Sequence, residues 1–212
     1  MEDHHFALPP FANWTPAQWS DIGPEADEIR SRALGWDVTD FGNGDFRRLG
    51  LTVFTIRNGR IDDAENKKVY AEKILIVGEN QVTPFHYHYS KTEDIINRGG
   101  GRLVIDLHNA TKEGGLADTE VTVQCDGVRR TVSAGSTVIL ETGESITLVP
   151  GIYHQFTAMA GTGTVLAGEV SSVNDDNVDN RFLEELPRFP SIIEDEPPVR
   201  LLCNEYRDAV AR

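Results

Sequence analysis

The sequence predicts a mainly β protein, an antiparallel sandwich or barrel, on three observations. From residue 50 onward the chain breaks into short, β-branched and often alternating segments. Turn signals separate them, among them Asn-Gly, Asp-Gly, Ala-Gly, Thr-Gly and Pro-Gly. Eight or more such segments follow one another with no helical pattern between them, which is the texture of an all-β fold.

The elements follow in order. Residues 1–13 carry Pro9 and Pro10 without periodicity and read as an arm. Thr15 is a helix N-cap with Pro16 at the first helical position. The helical pattern runs from there to about Leu34, with an interruption at Gly23-Pro24 and a stop at Gly35. Trp14, Trp19, Ile22, Ile29 and Leu34 form its apolar face. The strand segments are "LTVFTIRNG", "KVYAEKILIV", "GRLVIDLHN", "TEVTVQCDG", "RRTVSAGSTVILE", "ESITLVP", "IYHQFTAMA" and "GTVLAGEVSSV". After Val173 the pattern dissolves, and a short helix is expected in "LLCNEYRDAVAR". The expected organisation is therefore an N-terminal arm with helix over 1–49, a β-barrel over 50–174, and a C-terminal extension over 175–212 packed on the barrel.

Bulk composition narrows the function classes. A net charge of −14, with only 20 Lys and Arg, argues against a nucleic-acid partner, because phosphate neutralisation needs clustered cations. It also disfavours an anionic membrane surface, and no apolar run approaches the roughly 18 residues of a spanning helix. The N-terminus lacks the features of a secretion signal. Cys125 and Cys203 are too few for a disulfide framework, so a reduced, cytoplasmic location is expected. Exposed sheet edges and an N-terminal arm suggest a homodimer.

The chemistry concentrates in "TPFHYHYSKTED", residues 83–94. In an extended strand, residues i and i+2 face the same side. His86 and His88 therefore point one way, while Phe85, Tyr87 and Tyr89 point the other. Ser90-Lys91-Thr92 makes a turn, and Glu93 opens the next strand with its carboxylate directed back at the histidines. His154 supplies a third imidazole just after the Pro150-Gly151 turn. Three neutral nitrogens and one carboxylate suit a divalent ion of the Mn, Fe, Co, Ni or Zn series. An H-x-H pair alone arises by chance, and strand histidines are often ordinary core residues. The combination of spacing and barrel context separates the two readings.

H-x-H-x4-E, Gly100 six residues on, and Pro-Gly-x-x-His about 60 residues after the pair resemble the two motifs of the cupin superfamily. The opening glycine of the first motif and the final asparagine of the second are not matched, since Gly78 lies too early and Ala158 takes the last position. The resemblance implies a cupin double-stranded β-helix, a jelly-roll barrel with metal inside its mouth. "HYHYSKTEDIINRGGG", "PGIYHQF" and "GEVSSVNDDNVDNRF" further resemble the D-lyxose ketol-isomerase family of cupins, over most of the chain. That likeness implies reversible conversion of D-lyxose to D-xylulose, with D-mannose and D-fructose as a related pair, and Mn²⁺ as cofactor (Co²⁺, Ni²⁺, Zn²⁺ or Fe²⁺ being compatible). It carries the metal ligands onto His86, His88, Glu93 and His154, and a catalytic lysine onto Lys91.

The remaining residues are read from strand geometry. Glu169 lies late in the last good strand, where alternation sends it inward as a second acid or base. Asp175, Asp176, Asp179, Asn180 and Arg181 form a polar cluster beyond that strand, with Asp179 and Arg181 as candidates to orient sugar hydroxyls. Phe156 shares the parity of His154 and packs under the sugar, whereas Tyr153 faces outward. Arg98 and Arg102 border a solvent-exposed glycine hairpin. The ion's positive charge is expected to favour a neutral amine at Lys91. Two rival readings use the same ligands: an Fe²⁺ dioxygenase, which would line its pocket with apolar groups, and a non-catalytic sugar-binding cupin, which has no need of a proton-transfer pair.

Overall fold

The computed structural model describes residues 1, 4–60, 67–173 and 178–206. Asp175, Asp176 and the last six residues of the expected C-terminal helix lie outside them. Among the described residues, fourteen strands follow the N-terminal helices: β1 (Gly35–Thr39), β2 (Leu51–Asn58), β3 (Tyr70–Val77), β4 (Thr83–His88), β5 (Glu93–Gly100), β6 (Leu103–Ala110), β7 (Leu116–Ala117), β8 (Val121–Cys125), β9 (Val128–Val132), β10 (Ser136–Leu140), β11 (Ser145–Leu148), β12 (Ile152–Ala158), β13 (Val165–Ser172) and β14 (Asn180–Phe182). They form two antiparallel sheets. The larger runs β1-β2-β3-β13-β5-β11-β8-β9, and the smaller β10-β6-β12-β4-β14, with β7 on β6.

Alternation decides which side chains meet between the sheets. Val53, Leu75, Ile95, Ile146 and Val121 come from the larger sheet; Leu103, Ile105, Leu107 and Phe156 come from the smaller. Their burial is the main hydrophobic stabilisation of the barrel. β1, β7 and β14 were not anticipated. β1 forms because Trp36 and Val38 alternate with Gly35, Asp37 and Thr39 beside β2, the second set buried. β14 has only three residues and no pattern of its own; pairing with β4 makes it a strand.

The N-terminal helical pattern splits as Gly23-Pro24 predicts, into α1 (Pro16–Asp21) and α2 (Asp27–Ser31) with a short 3₁₀ turn at Pro24–Ala26. Thr15 caps α1 reciprocally with Gln18. Trp19 stacks on Tyr206 with ring centroids 4.2 Å apart, and the Tyr206 hydroxyl donates to the Leu34 carbonyl. The N-terminal helical segment and the returning tail at Tyr206 are thus fastened to each other. The glycine hairpin has a tighter role than solvent exposure: at Gly100, with φ +93°, a Cβ would sit 2.0 Å from the Thr164 carbonyl oxygen. Among the described residues no helix is long and apolar enough to cross a membrane.

Two substitutions separate local helix formation from packing of the chain ends. Thr15→Ala is expected to cost about 1 kcal/mol in urea unfolding, and Trp19→Ala about 3–5 kcal/mol. A Trp19→Ala loss no larger than that of Thr15→Ala would show that the arm contributes no packed core.

Candidate functional site

Two neighbouring strands of the smaller sheet deliver the three imidazoles, β4 carrying two of them and β12 the third. His86 on β4 stands directly opposite His154 on β12, and the register shifts at the next pair, where Phe156 meets Thr83. The irregularity lies beside the site, where a bulge re-aims side chains. The His86 and His154 rings are 4.2 Å apart between centroids, and His88 lies 5.3 Å from His86. One ligand atom from each falls within 4.8 Å of the others.

Each ring is oriented through its other nitrogen. His86 Nδ1 lies 2.8 Å from the Pro84 carbonyl oxygen, His154 Nδ1 3.1 Å from that of Ile152, and His88 Nδ1 3.2 Å from that of Asp179. A carbonyl only accepts, so each Nδ1 carries the proton and each Nε2 presents a lone pair. Glu93, first residue of β5, places Oε1 3.1 Å from His154 Nε2 and 3.4 Å from His88 Nε2. These three atoms are buried and make no hydrogen bond with one another that this tautomer allows. Converging acceptors without a proton between them suit a cation, and three imidazoles with a carboxylate fit a divalent transition metal. Burial of the His86 ring, reinforced by His154 and His88, lowers its pKa well below the usual value and keeps it a neutral ligand.

Beside the ligands runs a row of buried charges. Lys91 Nζ is 2.7 Å from Glu93 Oε2 and 2.9 Å from Glu169 Oε1, and Lys73 Nζ is 3.4 Å from the same Glu169 oxygen. Lys91 is 2% exposed. Burial alone pushes the Glu93 carboxyl up, but Lys91, His88 and His154 outweigh it and hold the group well below the usual range. Glu169 follows the same pattern: burial raises it, Lys73 and Lys91 lower it further, and Ser171 Oγ donates to Oε1. The expectation of a neutral amine at Lys91 considered the ion alone; two carboxylates beside Nζ favour the ammonium and oppose that effect.

Alternation sends Glu169 inward, where it pairs directly with Lys73 across β13 and β3. Phe156 faces the cavity as expected. Tyr153 points away from it, yet is buried, its hydroxyl donating to the Gly114 carbonyl. Two substrate-contact expectations need correction. Asp179 does not line the cavity; its carboxylate accepts from Ser90 N and Oγ and from Lys91 N, which fastens the turn carrying Lys91. Arg181 stands opposite Tyr87 on the outward parity of β14 and lies exposed against Tyr89 and Tyr153. The inward residues of that strand are Asn180 and Phe182.

Sequence reasoning missed Lys73 and Arg188, both of which line the cavity. Lys73 had a signal, since it shares the inward parity of Ala71, Leu75 and Val77. Arg188 had none, because "RFLEELPRFP" has no periodicity. The cavity, counted with its solvent-open mouth, spans about 480 Å³.

A family model described as D-lyxose isomerase matches residues 1–206. A D-lyxose/D-mannose isomerase of Serratia proteamaculans is 54% identical over 214 residues, covering 98% of this chain and 94% of that protein. One from Escherichia coli O157:H7 is 53% identical over 208 residues, covering 98% and 92%. Among solved structures, the ligand-free L-ribose isomerase of Cellulomonas parahominis superposes with a TM-score of 0.55 over 87% of this chain and 86% of that one. At 14% identity that likeness speaks for the fold, a cupin barrel. The sequence matches run through the helical arm, the histidine strands and the returning tail alike, and on them the chain belongs to the D-lyxose isomerase family.

Proposed function

We propose that the protein interconverts free aldoses and 2-ketoses, D-lyxose with D-xylulose and D-mannose with D-fructose. The observation that carries this reading is the meeting of three oriented imidazoles with a Lys91–Glu169 pair in one cavity. The names of the two relatives point to the same sugars. D-Lyxose and D-mannose have the same configuration at C2, C3 and C4, so a site that reads those carbons serves both.

His86, His88, His154 and Glu93 would hold the ion, Mn²⁺ in this reading, with Co²⁺, Ni²⁺, Zn²⁺ and Fe²⁺ compatible with the same donors. When bound, it supplies Lewis acidity that polarises the sugar carbonyl and stabilises negative charge on the sugar oxygens. Isomerisation takes a proton from C2 and returns one to C1, while a hydroxyl proton passes from O2 to O1. Glu169 and Lys91, already sharing a hydrogen bond, divide these two transfers in either order. Lys73 holds Glu169 from its other side, and Phe156 supplies an apolar surface beneath the sugar. The cavity's cations face carboxylates, Lys73 and Lys91 on Glu169 and Arg188 on Asp37, which suits a neutral sugar better than a phosphorylated one. A homodimer and a cytoplasmic location belong to the same reading: β9 leaves an edge of the larger sheet exposed, and Cys125 and Cys203 remain thiols.

Chelation followed by dialysis is expected to abolish D-lyxose isomerisation, and Mn²⁺ to restore it. Failure to isomerise any free pentose or hexose with any of the five ions would end this reading. Lys91→Ala and Glu169→Gln are each expected to lower kcat by about 10²-fold or more while bound metal, measured by elemental analysis, is retained. Intact turnover in both would remove them from the proton transfers.

A further inference from the structure

The ligands, Lys91 and Glu169 account for the reacting end of a sugar, C1 and C2. The other hydroxyls must lie along the rest of the cavity. Most of the lining there is apolar, including Phe41, Leu51, Val53 and Phe182. One cation, Arg188, stands apart from the Lys–Glu row.

Its position follows from a chain of contacts. Phe182 packs on His86 at 5.6 Å between centroids, and Phe41 packs on Phe182 at 5.5 Å. Next to Phe41, Gly42 faces Pro187, whose Cγ would be 3.0 Å from an added Cβ. Arg188 follows, entering the cavity from the returning tail. It is fastened there by Asp37, which forms an ion pair with Nη2, and its Cζ lies 4.6 Å from the centre of the Phe189 ring. Asp37 stands opposite Val53, a core residue, so its parity is inward, and it is 7% exposed. An acid on that face requires a partner from elsewhere in the chain. Across the larger sheet the row through Asp37 runs by Val53 and Leu75 to Ala167, two residues along β13 from Glu169, which puts the two acids roughly 16 Å apart at about 4.8 Å per strand and about 3.4 Å per residue. The Arg188 and Glu169 side chains reach into that gap from its two ends.

We propose that Arg188 is a substrate-contact residue, hydrogen-bonding the hydroxyls at the far end of the open-chain sugar while Glu169 and Lys91 act on C1 and C2. The inference rests on the sugar-isomerase reading. A guanidinium has five N–H donors in a fixed plane, so one edge can engage Asp37 while other N–H groups meet sugar oxygens. Asp37 fixes that plane and cancels the charge, which leaves a site for neutral hydroxyls. The tail that carries Arg188 thereby contributes to specificity.

A kinetic cycle between enzyme and substrate tests this. Wild-type protein loaded with Mn²⁺ is assayed with D-lyxose and with 5-deoxy-D-lyxose, and so is Arg188→Met. The wild type is expected to lose about tenfold or more in kcat/KM on the deoxy sugar, the equivalent of one buried hydrogen bond. Arg188→Met is expected to lose a similar factor on D-lyxose, mainly through KM, and to process the deoxy sugar as the wild type does. Equal losses by Arg188→Met on both sugars would overturn the contact and leave Arg188 a structural residue. Should Arg188→Met fail to fold because Asp37 is stranded, the double variant Asp37→Leu/Arg188→Met replaces the pair with apolar groups, and the same two outcomes decide. A wild type inactive on both sugars would instead refute the isomerase reading.

Discussion

The interior of this barrel is organised around a buried row of alternating charges, Lys73–Glu169–Lys91–Glu93. None of the four could occupy an apolar core alone, because desolvation of a single charge costs several kcal/mol. They are tolerated as a set, each facing an opposite charge within 3.4 Å. The row begins at a strand pair of the larger sheet, where Lys73 and Glu169 are in register, and ends at the carboxylate that faces the histidines of the smaller sheet. Three of its members stand on strands of the larger sheet, and Lys91 sits in the turn that joins β4 of the smaller sheet to β5. The same row ties the proposed proton-transfer pair to the proposed metal ligands through one atom group, the Glu93 carboxylate.

Around that row the backbone does much of the positioning. Three carbonyl oxygens fix the imidazole tautomers, and one of them belongs to Asp179. The Asp179 carboxylate meanwhile fastens the turn that presents Lys91. A residue expected to touch sugar thus holds both a ligand and a candidate catalytic amine in place. The returning tail has a comparable part. β14 pairs with β4, Arg188 pairs with Asp37, and Leu202 bridges to Trp36, so the tail is fixed at three points across the larger and smaller sheets.

Much of this was legible in the sequence where a short period governs the outcome. Parity along "FHYHY" separates His86 and His88 from Tyr87, and parity along "LAGEVSS" turns Glu169 inward. The Thr15–Pro16 helix start and the Gly23-Pro24 break follow from local backbone chemistry alone. Legibility ends where tertiary contact decides. β14 exists because β4 offers a partner, so the facing of Arg181 could not be read from "DNRF". Arg188 lies in an aperiodic stretch, and its inward placement depends on an acid about 150 residues earlier in the chain. Lys73 was readable and passed over, since a lysine on the apolar parity of a strand is itself a signal of a buried partner.

Deuterium uptake from solvent tests the central claim most directly. Wild-type protein with Mn²⁺ is incubated with D-lyxose in D₂O over many turnovers, and the sugars are followed by NMR. Proton transfer by Glu169 and Lys91 predicts deuterium at C2 of D-lyxose and C1 of D-xylulose, with both interconversion and uptake lost in Glu169→Gln. Interconversion that keeps the carbon-bound hydrogen throughout, or proceeds unchanged in Glu169→Gln, would contradict it.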